Sequence, residues 1–281
     1  MKVAKFSFGG KVGEGFVSGE SLQVARYYEV SNPDDAPFTL TSKSVLELEA
    51  AAANCVETLS LSDVKLLPPI PPGAKLICLG YNYKAHIDET NSKMGEPPAF
   101  FARWPDTVMG HESDILLPPE SETFDFEGEI AVIIGTGGRR IALEDAHAHI
   151  FGYTCFMDGS IREYQKHSPT AGKNFFQSGG LGPWVVTKDE AGDPAAFEMK
   201  TFVGGEMMQE TTGELMVRNC EEIIAYVSKF TELRPGDMLA TGTPGGVGAM
   251  RKPPRWMKAG EMVEVNISAI GALRNKIVEE A

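Results

Sequence analysis

The sequence is poor in cysteine, with four in 281 residues: Cys55, Cys78, Cys155 and Cys220. None stands in a Cys-x-x-Cys pair, which leaves out zinc ribbons, dithiol redox motifs and a disulfide scaffold, and fits reduced thiols packed as small hydrophobes. Basic charge is also scarce. Lys and Arg number 26 against 39 Asp and Glu, a formal net charge of -13, whereas a nucleic-acid partner calls for a basic surface that displaces counterions. No apolar run is long enough to span a bilayer, and the opening Met-Lys-Val-Ala-Lys has no apolar signal core, so a cytoplasmic protein without a membrane partner is expected. Internal repeats and low-complexity tracts are missing. Gly242-Thr-Pro-Gly-Gly-Val-Gly is glycine-rich but lacks the Lys-Ser/Thr end of a phosphate loop. None of this excludes an anionic small substrate, because a bound divalent cation with a few local Lys and Arg residues can invert the field inside one cleft.

What the chain does contain is a series of short strand-like runs. Residues 1–67 alternate such runs with Gly-rich turns and include a helical stretch from Ser44 to Asn54, which suggests a small N-terminal domain. Four prolines between Pro68 and Pro72 make a stiff connector, and a larger domain over 75–281 follows. Its strand candidates are 75–80, 129–134, 153–157, 184–187, 200–203, 238–241 and 262–267, with few helical signals beyond 213–230. A doubly wound sheet would alternate strand and helix regularly, so an α+β, β-rich mixed fold is expected.

Glu127 and Glu129 stand two apart at the head of an apolar run, so both point to one face of a strand. The bland alternative is the wet side of an edge strand. Asp158, at the end of another strand, can aim at the same face while capping the turn that follows. An oxygen-only trio suits Mg²⁺, Mn²⁺ or Ca²⁺ rather than zinc. If 160–165 is helical, Arg162 and Gln165 share a face with Asp158, adding a cationic fork and a neutral hydrogen-bonding arm. His86 and Glu89 are spaced i, i+3, which on a helical turn lets the carboxylate bond one ring nitrogen and raise the basicity of the other. Nothing lifts His111, His147, His149 or His167 above ordinary surface or packed histidines. Lys173 sits in a Gly-Lys-Asn segment read as a loop, and Thr241 and Thr243 end a strand whose glycines let backbone come close to a ligand.

In this order these residues resemble the fumarylacetoacetate hydrolase family. The match runs over 75–277 and includes Gly-Tyr-Asn-Tyr-x-x-His, Glu-Gly-Glu, Arg162-x-x-Gln165, Gly172-Lys173, Leu181-Gly-Pro and Thr241-Gly-Thr-Pro-x-Gly-Val-Gly. The resemblance implies a mixed β-sandwich roll, a homodimer, and Mg²⁺ or Mn²⁺ held by Glu127, Glu129 and Asp158. It further implies that His86 and Glu89 activate water, while Tyr81, Arg162, Gln165, Lys173 and Thr241 hold the substrate carboxylate and the developing enolate. Two departures alter the outer shell: Met157-Asp-Gly-Ser-Ile-Arg-Glu replaces the common Asn-Asp-Val-Ser-Ala-Arg-Asp, and Phe176 replaces an aspartate.

The expected reaction is hydrolytic C–C cleavage of a β-diketo acid, an acylpyruvate or 2,4-diketo sugar acid, to pyruvate and a carboxylic acid. The alternatives are decarboxylation of an oxaloacetate-like acid, tautomerisation of a 2-hydroxy-dienoate, ureidoglycolate-type lyase chemistry, or a silent acid-binding protein. The polar segment 81–96, which carries His86, is expected to act as a lid.

Overall fold

A computed structural model describes residues 1–91 and 98–280. Most of the strands lie in one mixed sheet whose path runs Glu57–Ser60, Ser21–Tyr28, Lys11–Ser18, Lys2–Phe8, Gly179–Thr187, Ile150–Met157, Gly128–Ile134, Met238–Ala240, Leu76–Gly80 and Ala99–Arg103. Pairing is antiparallel except where Met238–Ala240 runs parallel to Leu76–Gly80 and Val108–Met109 parallel to Gly179–Thr187. A second, five-stranded sheet has the order Glu206–Thr212, Glu198–Val203, Met262–Ile267, Gly271–Glu279, Ile115–Leu117. The N-terminal strands belong to the large sheet, because Lys2 and Val3 pair with Val186 and Val185. The proline-rich connector lies between Lys65–Leu67 and Leu76–Gly80.

The strands Gly128–Ile134 and Ile150–Met157 are buried along their whole lengths, so they read as continuous apolar runs rather than alternating ones. Period two divides the first of them. Ile130, Val132 and Ile134 pack with Val263, Val265 and Ile267 of the second sheet, while Ala131 and Ile133 pack with Leu40, Leu48, Phe156 and Leu181 on the other side. Gly128 starts the strand directly against Thr201 and Val265 of the second sheet. A Cβ there would collide with Thr201 Oγ1, so only glycine fits.

The helical stretch near residue 45 forms Val45–Ala53, begun by a capping box between Ser44 and Glu47. The segment 213–230 is α-helical only at Cys220–Val227, with its own capping box at Asn219 and Glu222, and makes a single 3-10 turn at Gly213–Leu215. Residues ahead of it are committed elsewhere: the Val217 and Arg218 N–H groups donate to the main-chain and side-chain oxygens of Asn82 at 2.7 and 2.8 Å, a tertiary tie that overrides helical periodicity. All four cysteines are free, and Cys78, Cys155 and Cys220 are buried.

Lys5 is only 5% exposed, and its ammonium donates to the Ile70 carbonyl at 3.3 Å. Burial pulls its pKa down to about 8, with Asp34 and Glu14 resisting. Between that value and the ordinary 10.5 the unfolded chain binds more protons, so this group's penalty is full below about pH 8 and disappears as pH rises through 10.5. Lys5→Met is therefore expected to stabilise the fold at pH 7, by on the order of 2 kcal/mol, with the gain shrinking toward pH 10.5. Urea unfolding at both pH values measures it, and an equal gain at each would contradict the assignment.

Candidate active site

Glu127 directly precedes the strand Gly128–Ile134 and Glu129 lies within it, so both carboxylates extend the face that Ala131 and Ile133 continue into the core. The antiparallel register pairs Gly128 with Met157, which brings Asp158 beside them, and the Asp158 N–H donates to the Glu127 carbonyl at 2.8 Å. One oxygen from each of Glu127, Glu129 and Asp158 lies within 4.8 Å of the others, and all three side chains are buried. The wet-edge alternative thus fails on burial. Asp158 is not a helix cap: Ser160–Ile161 pairs with Phe124–Asp125 as a short ribbon, so the helical turn starts only at Arg162, behind Ile161. Its carboxylate oxygens are engaged by cations instead.

Lys173 is the last residue of the helix Pro169–Lys173, not a loop residue, and its side chain is 1% exposed. Its ammonium bridges Glu127 Oε2 and Asp158 Oδ2, each at 2.6 Å. Burial opposes that charge, but Asp158 and Glu127 more than offset it and raise the lysine pKa. Arg162 turns toward the same trio: Nε donates to Asp125 Oδ2 at 2.7 Å, Nη1 to Gln165 Oε1 at 2.8 Å, and Nη2 lies 2.7 Å from Glu127 Oε1. The sequence suggested a fork free for substrate; here Arg162 is engaged by carboxylates of the protein itself. Burial pushes the Glu127 carboxyl up, yet Lys173 and Arg162 outweigh it and hold the pKa at about 2. Glu129 differs. Burial first, then the charges of Asp158 and Glu127, push it well above the usual carboxylate range, with Lys173 and the Gly242 N–H, which donates to Oε2 at 2.8 Å, only partly offsetting them.

This donor set fits a hard divalent cation. It offers only oxygens, and the neighbouring Cys78 thiol is driven far up by burial, so it supplies no thiolate. Glu127, Glu129 and Asp158 would hold the ion, and Glu129, raised by burial first and then by Asp158 and Glu127, is the one of the three not paired with Lys173 or Arg162.

The helical turn Lys84–Glu89 carries the candidate base. His86 is 7% exposed, and its Nδ1 lies 2.7 Å from Glu89 Oε1, which leaves Nε2 as the atom that can take a proton. Glu89 is itself positioned, since its Oε2 accepts the Gly246 N–H at 2.8 Å. Gly246 has φ +99°, a conformation that favours glycine, so this loop glycine presents its N–H where a side chain would be strained. Gly242 and Gly246, four residues apart, thereby orient one metal-site carboxylate and the base's partner from a single loop. Tyr81, with a left-handed φ of +58°, stacks on His86 with ring centroids 5.8 Å apart. Thr241 is buried, and its hydroxyl donates to the Ile130 carbonyl at 2.9 Å. The lid expected over 81–96 runs past Asn91 into residues outside those described.

Three further residues complete the network. Asp125, fully buried, accepts the Gly248 and Ala249 N–H groups as well as Arg162. Gln209 accepts the Gly128 N–H and donates to Thr243 Oγ1 and the Pro244 carbonyl, tying the metal-site strand to the glycine loop. Arg103 is 2% exposed and donates to Asp158. Asp125 was not singled out from the sequence, though the alternation Phe124-Asp125-Phe126-Glu127, an acid in step with the two glutamates, is the signal that could have found it. Gln209 and Arg103 carried no local signal, because only tertiary pairing brings them here.

Residues 75–278 match the fumarylacetoacetate (FAA) hydrolase C-terminal family, and the chain belongs to it. It is 39% identical over 232 residues to a mitochondrial oxaloacetate tautomerase of Bos taurus, covering 81% of this chain and 74% of that one. The oxaloacetate tautomerase of Bacillus subtilis is 40% identical over 225 residues, 78% of this chain and 74% of the relative. Among solved structures, a maleylpyruvate hydrolase from Sphingobium in complex with manganese(II) and pyruvate is 28% identical with a TM-score of 0.80, covering all of both chains. The two-sheet, strand-rich roll expected from the sequence is the fold of this family.

Proposed function

We propose that this protein is a divalent-metal-dependent tautomerase of oxaloacetate-like 2-keto acids, moving a proton between C3 and the 2-oxygen. The observation that carries the proposal is that one loop orients both parts of the site: the Gly246 N–H holds Glu89 against His86, and the Gly242 N–H holds Glu129 of the buried carboxylate trio. The sequence favoured hydrolytic cleavage. The identities of 39% and 40% to oxaloacetate tautomerases support the oxaloacetate-type alternative better.

Held by Glu127, Glu129 and Asp158, Mg²⁺ or Mn²⁺ would supply Lewis acidity toward negative charge developing on the 2-oxygen of a keto acid. His86 Nε2 removes the C3 proton, and Glu89 stabilises the imidazolium through Nδ1. The imidazolium then returns that proton to the oxygen, giving the enol, with no atom gained or lost; ketonisation is the reverse. Lys173 and Arg162 offset the charge of Glu127 and Asp158, so a small dianionic acid can approach a cluster otherwise rich in carboxylates. The Tyr81 ring covers one face of the imidazole and restricts its tilt.

Hydrolysis of a diketo acid is the second reading, favoured by the likeness to the Sphingobium enzyme. There Nε2 would take its proton from water instead. Incubation with enol-oxaloacetate and with acylpyruvates in H₂¹⁸O separates the two. The expected result is rapid loss of enol absorbance without CO₂ release or ¹⁸O in a carboxylate; pyruvate release from an acylpyruvate, with ¹⁸O in the new carboxylate, would establish hydrolysis instead.

A further inference from the structure

Arg103 ends the strand Ala99–Arg103, and its side chain is fully buried. A guanidinium in such a place needs every donor met. Nε donates to Thr107 Oγ1 at 3.1 Å; Nη1 to Asp158 Oδ1 at 2.6 Å and to the Gly159 carbonyl at 3.1 Å; Nη2 to the Thr107 carbonyl at 3.3 Å and Ser178 Oγ at 2.8 Å. The fork is therefore fixed on four sides before it touches Asp158. Gly179 lies against it, and a Cβ there would approach the guanidinium within 2.9 Å, so the backbone is moulded to this one side chain.

The two oxygens of Asp158 are divided by this arrangement. Oδ1 is held by Arg103, while Oδ2 faces Glu127, since the Lys173 ammonium bridges Oδ2 and Glu127 Oε2. We propose that Arg103 is a positioning residue that makes Asp158 a one-oxygen ligand and so biases the site toward a small octahedral cation over a large one. Mg²⁺ and Mn²⁺ suit single-oxygen carboxylates with water completing the shell, whereas Ca²⁺ takes six to eight oxygens and gains from carboxylates that bind through both. Arg is required rather than Lys because the planar fork sets the angle of the carboxylate as well as its charge. The inference rests on the divalent-metal reading of the trio, not on which reaction follows.

The test is calorimetric titration of the full chain with MgCl₂, MnCl₂ and CaCl₂, for the wild type, Arg103→Lys and Ser178→Ala. Ser178→Ala loosens the fork without removing charge, so it tests the idea even if Arg103→Lys does not fold. Both variants are expected to bind Mg²⁺ and Mn²⁺ about 10- to 100-fold more weakly, with Ca²⁺ affinity falling less, so that the Ca²⁺/Mg²⁺ preference shifts by about tenfold. Unchanged affinities, or equal losses for all three ions, would overturn the positioning role while leaving the metal site standing. A wild type that binds none of the three would overturn the metal site and this inference together.

Discussion

His86→Ala is expected to lower the rate of keto–enol interconversion by about 10²- to 10⁴-fold, the span typical for loss of a general base, while leaving the Kd for Mg²⁺ within about twofold. The split follows from geometry. His86 is not among the residues whose oxygens meet at the metal site, and its own tie runs the other way, through Nδ1 to Glu89 and on to the Gly246 N–H. Removing the ring takes away the proton carrier without a ligand. Glu89→Gln should cost less than loss of the ring, because its one amide oxygen can still meet Nδ1–H, although its NH2 then faces the Gly246 N–H and the charge that offsets an imidazolium is gone. Stopped-flow measurement of enol decay, with metal affinity measured separately, checks both variants. Metal binding lost along with turnover in His86→Ala would place the ring in the coordination shell and undo its role as base.

Glu129→Gln is expected to act in two opposite directions. Without metal, Glu129 is the carboxylate of the trio that no cationic side chain among the described residues pairs with, and burial together with Asp158 and Glu127 disfavours its charge. A neutral isostere relieves that repulsion and still meets the Gly242 N–H, so the metal-free variant should melt no lower than the wild type. With metal the order reverses. A cation at 100 times its Kd stabilises the wild type by about 2.7 kcal/mol, and the variant should lose most of that gain and nearly all turnover. Melting curves with and without 5–10 mM Mg²⁺, a range on the order of that excess for a Kd near 0.1 mM, decide it. A variant less stable than the wild type without metal, yet equally stabilised by Mg²⁺, would contradict the role of Glu129 as a ligand.

Much of the site was legible because its chemistry is written locally. Glu127 and Glu129 fall on one face by period two, and His86 and Glu89 meet by helical spacing, so neither pairing needs knowledge of the fold. Asp158 was placed with its partners because a strand end can reach a neighbouring strand, but its capping role was misread: a two-residue ribbon at Ser160–Ile161 delays the helix to Arg162. Lys173 looked like a solvated loop lysine because burial of a charge cannot be seen without the carboxylates that offset it. Arg103 and Gln209 reach the site from strands that lie 55 residues before Asp158 and 81 after Gly128, distances over which composition carries no signal. The helix over 213–230 shrank for the same kind of reason, a tertiary hydrogen bond to Asn82 outweighing local periodicity. The reaction was the hardest part to read, since one oriented base beside one metal seat serves proton transfer and water activation alike.

The most direct measurement is exchange of the C3 protons of oxaloacetate in D₂O, followed by proton NMR with the Mg²⁺-loaded protein. The expected result is rapid washout of the C3 signal by the wild type, reduced to near the uncatalysed rate in His86→Ala and on adding EDTA. Washout at the uncatalysed rate with the wild type, or at the wild-type rate with His86→Ala, would contradict proton transfer by His86 beside the Glu127, Glu129 and Asp158 site.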